Sequence, residues 1–185
     1  MGDPKSWTSE ATDAELIAQW HGGDQRAATA LVHRHAQALS RFAASLGERD
    51  GIDELVQDTF VRAFQSLDSF RADSSLRTWL FTICKRLVLD RKRSERRRRN
   101  QVELDEGHAV AEYDALDGMV AEEAAGRVER AVAKLTPLQR EVFTLRVTEG
   151  MPYGEIAKVV ESTEGACRVH YHNAMKLIKE SLSDD

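Results

Sequence analysis

The chain has 185 residues, 42% hydrophobic and 31% charged, which is enough apolar material for one ordinary domain or two small ones and too much for a disordered chain. Its 11 glycines and 3 prolines are too few for a collagen-like, linker-rich or many-turned β architecture. The net charge of -5 conceals a polarity, since residues 71–100 carry +8 and residues 101–126 carry -8. Cys84 and Cys167 are the two cysteines, so neither a disulfide framework nor a cysteine zinc site can be built. No apolar h-region opens the sequence and no apolar run approaches a membrane span. A protein of the reducing cytoplasm, without membrane insertion, is therefore expected.

Helical periodicity runs through the chain, and strand signals are nearly absent. Asp13 is expected to cap a short helix through Trp20 that ends at Gly22-Gly23. Asp24 caps a second, which carries Leu31, Leu39 and Phe42 towards Gly47. In the third, Ile52, Leu55, Val56, Phe60, Phe64 and Leu67 form an apolar stripe at i, i+3, i+4 spacing. The fourth, capped by Ser74 or Ser75, shows Leu76, Trp79, Leu80, Ile83, Leu87 and Val88 and runs on into the basic block. These four helices predict a first domain over residues 10–100.

The acidic stretch 101–118 has no strong periodicity and reads as a linker. A second domain, 119–185, begins with a helix expected to pack Val128, Val132 and Leu135. Thr136 then caps a helix with Pro137 at its first position and Leu138, Val142 and Leu145 as its buried stripe, closed by Gly150. Pro152 opens a short helix with Ile156, Val159 and Val160, and Glu161-Ser162-Thr163 turns into a last helix from Glu164 to Leu182. The predicted fold class is all-α: two small helical domains joined by an acidic linker, the C-terminal one containing a helix-turn-helix.

Three features point to nucleic acid. On the last helix Cys167, Tyr171, Ala174 and Ile178 share an inward stripe, and Arg168, Val169, His172, Asn173 and Lys176 face the other way. Arg, His and Asn on such a face can reach base edges or phosphates in a major groove. The plain alternative is an ordinary solvated amphipathic helix. The second feature is the run Lys85, Arg86, Arg91, Lys92, Arg93 and Arg96–Arg99, which repels itself unless met by a polyanion. A solvated run, or one covered by the acidic linker acting as an intramolecular competitor, is the alternative there. Thirdly, FRADSSLRTWLF (70–81) mixes aromatics with Arg and Ser, as in single-strand grooves, although Trp79 lies on the apolar stripe and reads rather as core.

Catalytic motifs are missing: there is no G-x-S-x-G, H-E-x-x-H or phosphate loop. His33 with His35 and His170 with His172 are spaced i, i+2, which on a helix turns the two rings about 200° apart and prevents chelation. Neither an enzyme nor a metal or cofactor is expected.

The order of parts resembles the extracytoplasmic-function (group IV) sigma factors, promoter-specificity subunits of bacterial RNA polymerase. DELVQDTFVRAFQSLDSFR (53–71) with TWLFTICKRLVLDRKR (78–93) is similar to that family's second conserved region, and LTPLQREVFTLRVTEGMPYGEIAKVVESTEGACRVHYHNAMKLI (135–178) to its fourth. The resemblance implies that Asp53, Gln57, Asp58, Val61 and Phe64 dock on the β′ subunit of the core polymerase. It implies that Arg71, Ser74, Ser75, Arg77, Trp79, Lys85, Arg86, Arg91 and Arg93 capture the melted minus-10 strand. The duplex minus-35 element would then be read by Glu164, Gly165, Arg168, Val169, His172, Asn173 and Lys176, with phosphate near the helix N-terminus. Two departures stand out: Arg86 replaces an Asn common in the family, and the last helix carries fewer Arg and Lys than is usual.

The implied partners are core polymerase (β′ and β), promoter DNA and an anti-sigma factor, with the free protein a monomer. Residues 101–126, at ~3.3 Å each, reach at most about 85 Å. Promoter elements two helical turns apart, roughly 70 Å, are within that span. The alternative functions are a stand-alone helix-turn-helix regulator, which needs a dimer stripe that is not evident, and a helical protein that sequesters a charged partner.

Overall fold

A computed structural model describes residues 11–70, 73–102 and 121–183. All regular structure among the described residues is helical. The order is α1 (Asp13–His21), α2 (Gln25–Ser45), α3 (Ile52–Gln65), α4 (Leu76–Val102), α5 (Ala121–Ala133), α6 (Pro137–Phe143), α7 (Tyr153–Val160) and α8 (Glu164–Ser183). Most of the expected linker lies outside the described residues, and its first two positions close α4.

Local chemistry sets the helix ends. Thr12, rather than Asp13, caps α1: its hydroxyl accepts from the Glu15 amide while the Glu15 carboxylate accepts from the Thr12 amide. Asp13 is thereby released to accept from Arg34 at 2.6 Å and to meet His35 at 3.0 Å, tying α1 to α2. Asp24 caps α2 as expected, and the Thr78 amide donates to the Ser75 hydroxyl at the start of α4. Thr136 and Gln139 form a second reciprocal cap, with Pro137 at the first position of α6. α6 runs on through a single π turn, Thr144–Thr148, before Gly150 turns the chain at φ +64°.

α1 to α4 bury Leu16, Leu31, Leu39, Phe42, Leu55, Phe60, Leu80, Phe81 and Val88. Phe42 meets Phe81 edge-on at 5.0 Å. Truncating either ring to Ala costs about 3–5 kcal/mol. α5 packs on α8 through Ala131, Leu135, Ala174 and Ile178. Val128, expected in that core, is instead 41% exposed: it lies on the same stripe but one turn ahead of Ala131, where the buried contact of α5 begins among the described residues.

The C-terminal helices do not stand apart from the first four. α7 lies along α4 and α6 touches α2, so that Val142, Leu145, Met151, Ile156 and Val159 continue the apolar cluster of α1–α4.

Candidate nucleic-acid interface

α8 supplies the clearest face. Cys167, Ala174 and Ile178 are buried and Tyr171 is half-buried, so the residues between them are forced outward. Glu164, Gly165, Arg168, Val169, His172, Asn173 and Lys176 are all exposed, with Val169 at 58%. α7, the turn at Glu161 (φ +56°) and α8 make a helix-turn-helix with α8 outermost. The Arg168 guanidinium donates to the Glu164 carboxylate one turn earlier, and its carbon lies 5.3 Å from the centre of the Tyr153 ring. Arg146 approaches the same ring at 4.8 Å, and Tyr171 meets it edge-on at 6.0 Å. Two guanidinium groups against the one Tyr153 ring hold the donor end of α8 in place. Glu164 therefore acts on Arg168, a role that sequence spacing alone left unassigned.

On α3, Asp53, Gln57, Asp58 and Val61 are exposed, and Val61 at 47% is an apolar side chain within a polar face. Phe64 differs: it is half-buried and sits 5.1 Å from the Trp20 ring. Arg91 folds back from α4 to this helix, 3.5 Å from both Glu54 and Asp58, and donates to the Gly51 carbonyl at 3.2 Å. Of the residues expected at the minus-10 strand, Arg91 is thus turned towards α3.

The others divide in three. Arg93 is exposed beside Asp90, at 3.7 Å, and Ser74 is half-buried. Trp79 is half-buried against Phe70, 5.1 Å between ring centres, which agrees with its place on the apolar stripe. Ser75, just ahead of α4, and Arg77, Lys85 and Arg86 on it each meet a carboxylate from the C-terminal part of the chain. Arg71 lies outside the described residues.

Those carboxylates were invisible in the sequence. Lys85 donates to Glu141 at 2.7 Å, and Arg86 lies 3.5 Å from Glu161. Glu149, its side chain 1% exposed, accepts from Arg77 and is gripped by both Nε (2.8 Å) and an Nη (3.2 Å) of Arg41. This grip holds the Arg41 pKa above its ordinary value. Glu155 accepts from Thr78 and, at 3.1 Å, from the Ser75 hydroxyl. Burial raises the Glu155 pKa, but those hydrogen bonds and the Lys158 charge outweigh it and bring the carboxyl below its usual range. Among the described residues no group of three metal-ligating side chains converges, and no helix is long and apolar enough to cross a membrane.

A four-helix domain with a basic outer helix, followed on the same chain by a helix-turn-helix, defines a bipartite helical protein of DNA-binding type. Residues 31–98 match the sigma-70 region 2 family model and residues 125–178 the sigma-70 region 4 model. The chain is 37% identical over 170 residues to the RNA polymerase sigma factor CnrH of Cupriavidus metallidurans, covering 84% of this chain and 88% of that one. It is 28% identical over 184 residues to the ECF RNA polymerase sigma-E factor of Salmonella typhimurium, covering 95% and 96%. Among solved structures, the sigma factor RpoE in complex with the anti-sigma factor NepR from Bartonella quintana superposes with a TM-score of 0.66 at 28% identity, over 83% of this chain and 95% of that one. The chain belongs to the sigma-70 family, in its extracytoplasmic-function group, and is a factor for promoter-specific initiation of transcription.

Proposed function

We propose that this sigma factor works by binding alone and divides its three contacts among α3, α4 and α8. Asp53, Gln57, Asp58 and Val61 on the outer face of α3 dock on core polymerase. Arg77, Lys85, Arg86 and Arg93 on α4, with Arg71 and Ser75 ahead of it, take the melted minus-10 strand. Arg168, Val169, His172, Asn173 and Lys176 read the minus-35 duplex. It acts in the cytoplasm, beside the polymerase.

The observation that carries this reading is the outward row on α8, in which every side chain expected at the duplex is exposed while the opposite stripe is buried. Arg168 presents a fork suited to guanine, His172 and Asn173 present hydrogen-bonding groups, and Val169 offers a methyl-contacting surface. An anti-sigma factor that holds the protein inactive is supported by the RpoE relative, solved with NepR.

A gel shift on promoter fragments, with and without bacterial core polymerase, tests the division of labour. A specific shift that needs core supports it, and a specific shift by the protein alone would replace it with a stand-alone regulator.

A further inference from the structure

The outward row of α8 is short of cations, so its discrimination between sequences has to come in good part from neutral groups. Val169 is 58% exposed, the most exposed large apolar side chain among the described residues, and it stands between Arg168 and His170. Asn173, one turn further on, is exposed as well and makes no hydrogen bond to any described residue. The donor and the acceptor of its carboxamide are therefore both open. Arg168 spends one guanidinium hydrogen on Glu164 and keeps its other donors, with its carbon 5.3 Å from the centre of the Tyr153 ring.

Each of these groups matches a different base edge. A guanidinium fork pairs with O6 and N7 of guanine, a carboxamide with N6 and N7 of adenine, and an apolar side chain packs on the methyl of thymine. A phosphate offers acceptors alone, so it leaves the acceptor of Asn173 unused and gives Val169 nothing to pack against. At 1.5 Å of rise per residue, Arg168 and Asn173 lie about 7.5 Å apart along α8. That is about two base-pair steps of ~3.4 Å. Val169 and Asn173, at i and i+4, are neighbours on the helix surface.

We propose that α8 reads a three-base-pair window of the minus-35 element: a guanine against Arg168 at one end, an adenine against Asn173 at the other, and a thymine methyl against Val169 within it. Asn173 and Val169 set the specificity of this chain, and Arg168 is the anchor that Glu164 and Tyr153 hold in place. The inference deepens the assignment of α8 to the minus-35 duplex and rests on it.

The test uses holoenzyme assembled with bacterial core polymerase and a promoter library randomised across the minus-35 region, with bound and unbound fractions sequenced. The parent is expected to enrich a guanine and an adenine two base pairs apart. Asn173→Arg should change the preferred base at the adenine position to guanine by about tenfold and leave the other positions as they were. A switched preference cannot come from a misfolded chain. On the selected promoter, replacing the thymine by uracil removes only the methyl group. That change should weaken the parent about fourfold and leave Val169→Ser unaffected.

An adenine preference that survives in Asn173→Arg, or a loss spread evenly over all sequences, overturns the base assignment while the duplex role of α8 stands. Equal sensitivity of parent and Val169→Ser to uracil overturns the methyl contact. A library with no enrichment anywhere in the minus-35 region overturns the role of α8 itself, and the inference with it.

Discussion

The Arg168 guanidinium lies over the ring of Tyr153, 5.3 Å from its centre, with Arg146 at 4.8 Å from the same ring. Tyr153 belongs to α7 and Arg168 to α8, so this contact fixes the reading helix at the point where the two helices of the helix-turn-helix meet. Arg168→Ala is expected to lower transcription from a minus-35-dependent promoter by about fivefold or more, the ~1–3 kcal/mol of one lost base contact. Core binding should be unchanged. Tyr153→Phe keeps the ring face and should stay near parental activity, whereas Tyr153→Leu should follow Arg168→Ala. Transcription in vitro on matched promoters reads all three, and full activity of Arg168→Ala would remove that side chain from the reading set.

Asp58 is half-exposed on α3 and makes only a 3.5 Å approach to Arg91. Losing that pair costs within about 1 kcal/mol, so Asp58→Arg should melt close to the parent. Its affinity for core polymerase should nevertheless fall by an order of magnitude, because the outward charge on the docking face is reversed. Competition against labelled parent for core polymerase measures this, and an unchanged affinity would move docking off this face.

Asp13 and Glu155 are expected to contribute to the acid limit of the fold. Burial raises the Asp13 pKa, but the hydrogen bonds and charges of His35 and Arg34 outweigh it and hold the carboxyl below its ordinary value, as happens at Glu155. A carboxyl lowered on folding contributes its stability above the unfolded-state pKa and loses it as pH falls through the folded value. The melting temperature should therefore hold down to about pH 5 and decline below about pH 4. Asp13→Asn should flatten that decline, checked by thermal melts across the acid range. An acid limb identical to the parent's would assign the loss to other carboxylates.

Cys84 is fully buried within the α1–α4 core, and desolvation pushes its thiol up to about 12. The reactive species is the thiolate. At pH 8 Cys84 should resist alkylation by iodoacetamide in the folded protein and react only on unfolding. Mass spectrometry of peptides from native and denatured samples reads this directly. Rapid labelling of native Cys84 would mean that the α3–α4 packing opens locally.

Much of this molecule was set by local sequence. Apolar spacing along Ile52–Leu67 and Leu76–Val88 fixes which faces turn inward, Thr136-Pro137 starts α6, and Cys167, Ala174 and Ile178 leave Arg168, His172 and Asn173 nowhere to point but outward. A helical period needs only near neighbours, so it can be read from the chain. The difference at α1 is of the same local kind: Thr12 completes a reciprocal cap with Glu15, while Asp13 is drawn off by Arg34 and His35.

Tertiary structure decided the pairing of charges. Glu149 stands before a glycine at the end of a turn, where a sequence reading leaves it in solvent. Instead it is buried between Arg41 and Arg77, which lie 108 and 72 positions away. The basic residues of α4 were legible as a face for a polyanion, but the side chains that meet them were not. An ion pair depends on the distance and dielectric that docking creates, and only the packing of α7 against α4 and α6 against α2 brings these partners within reach.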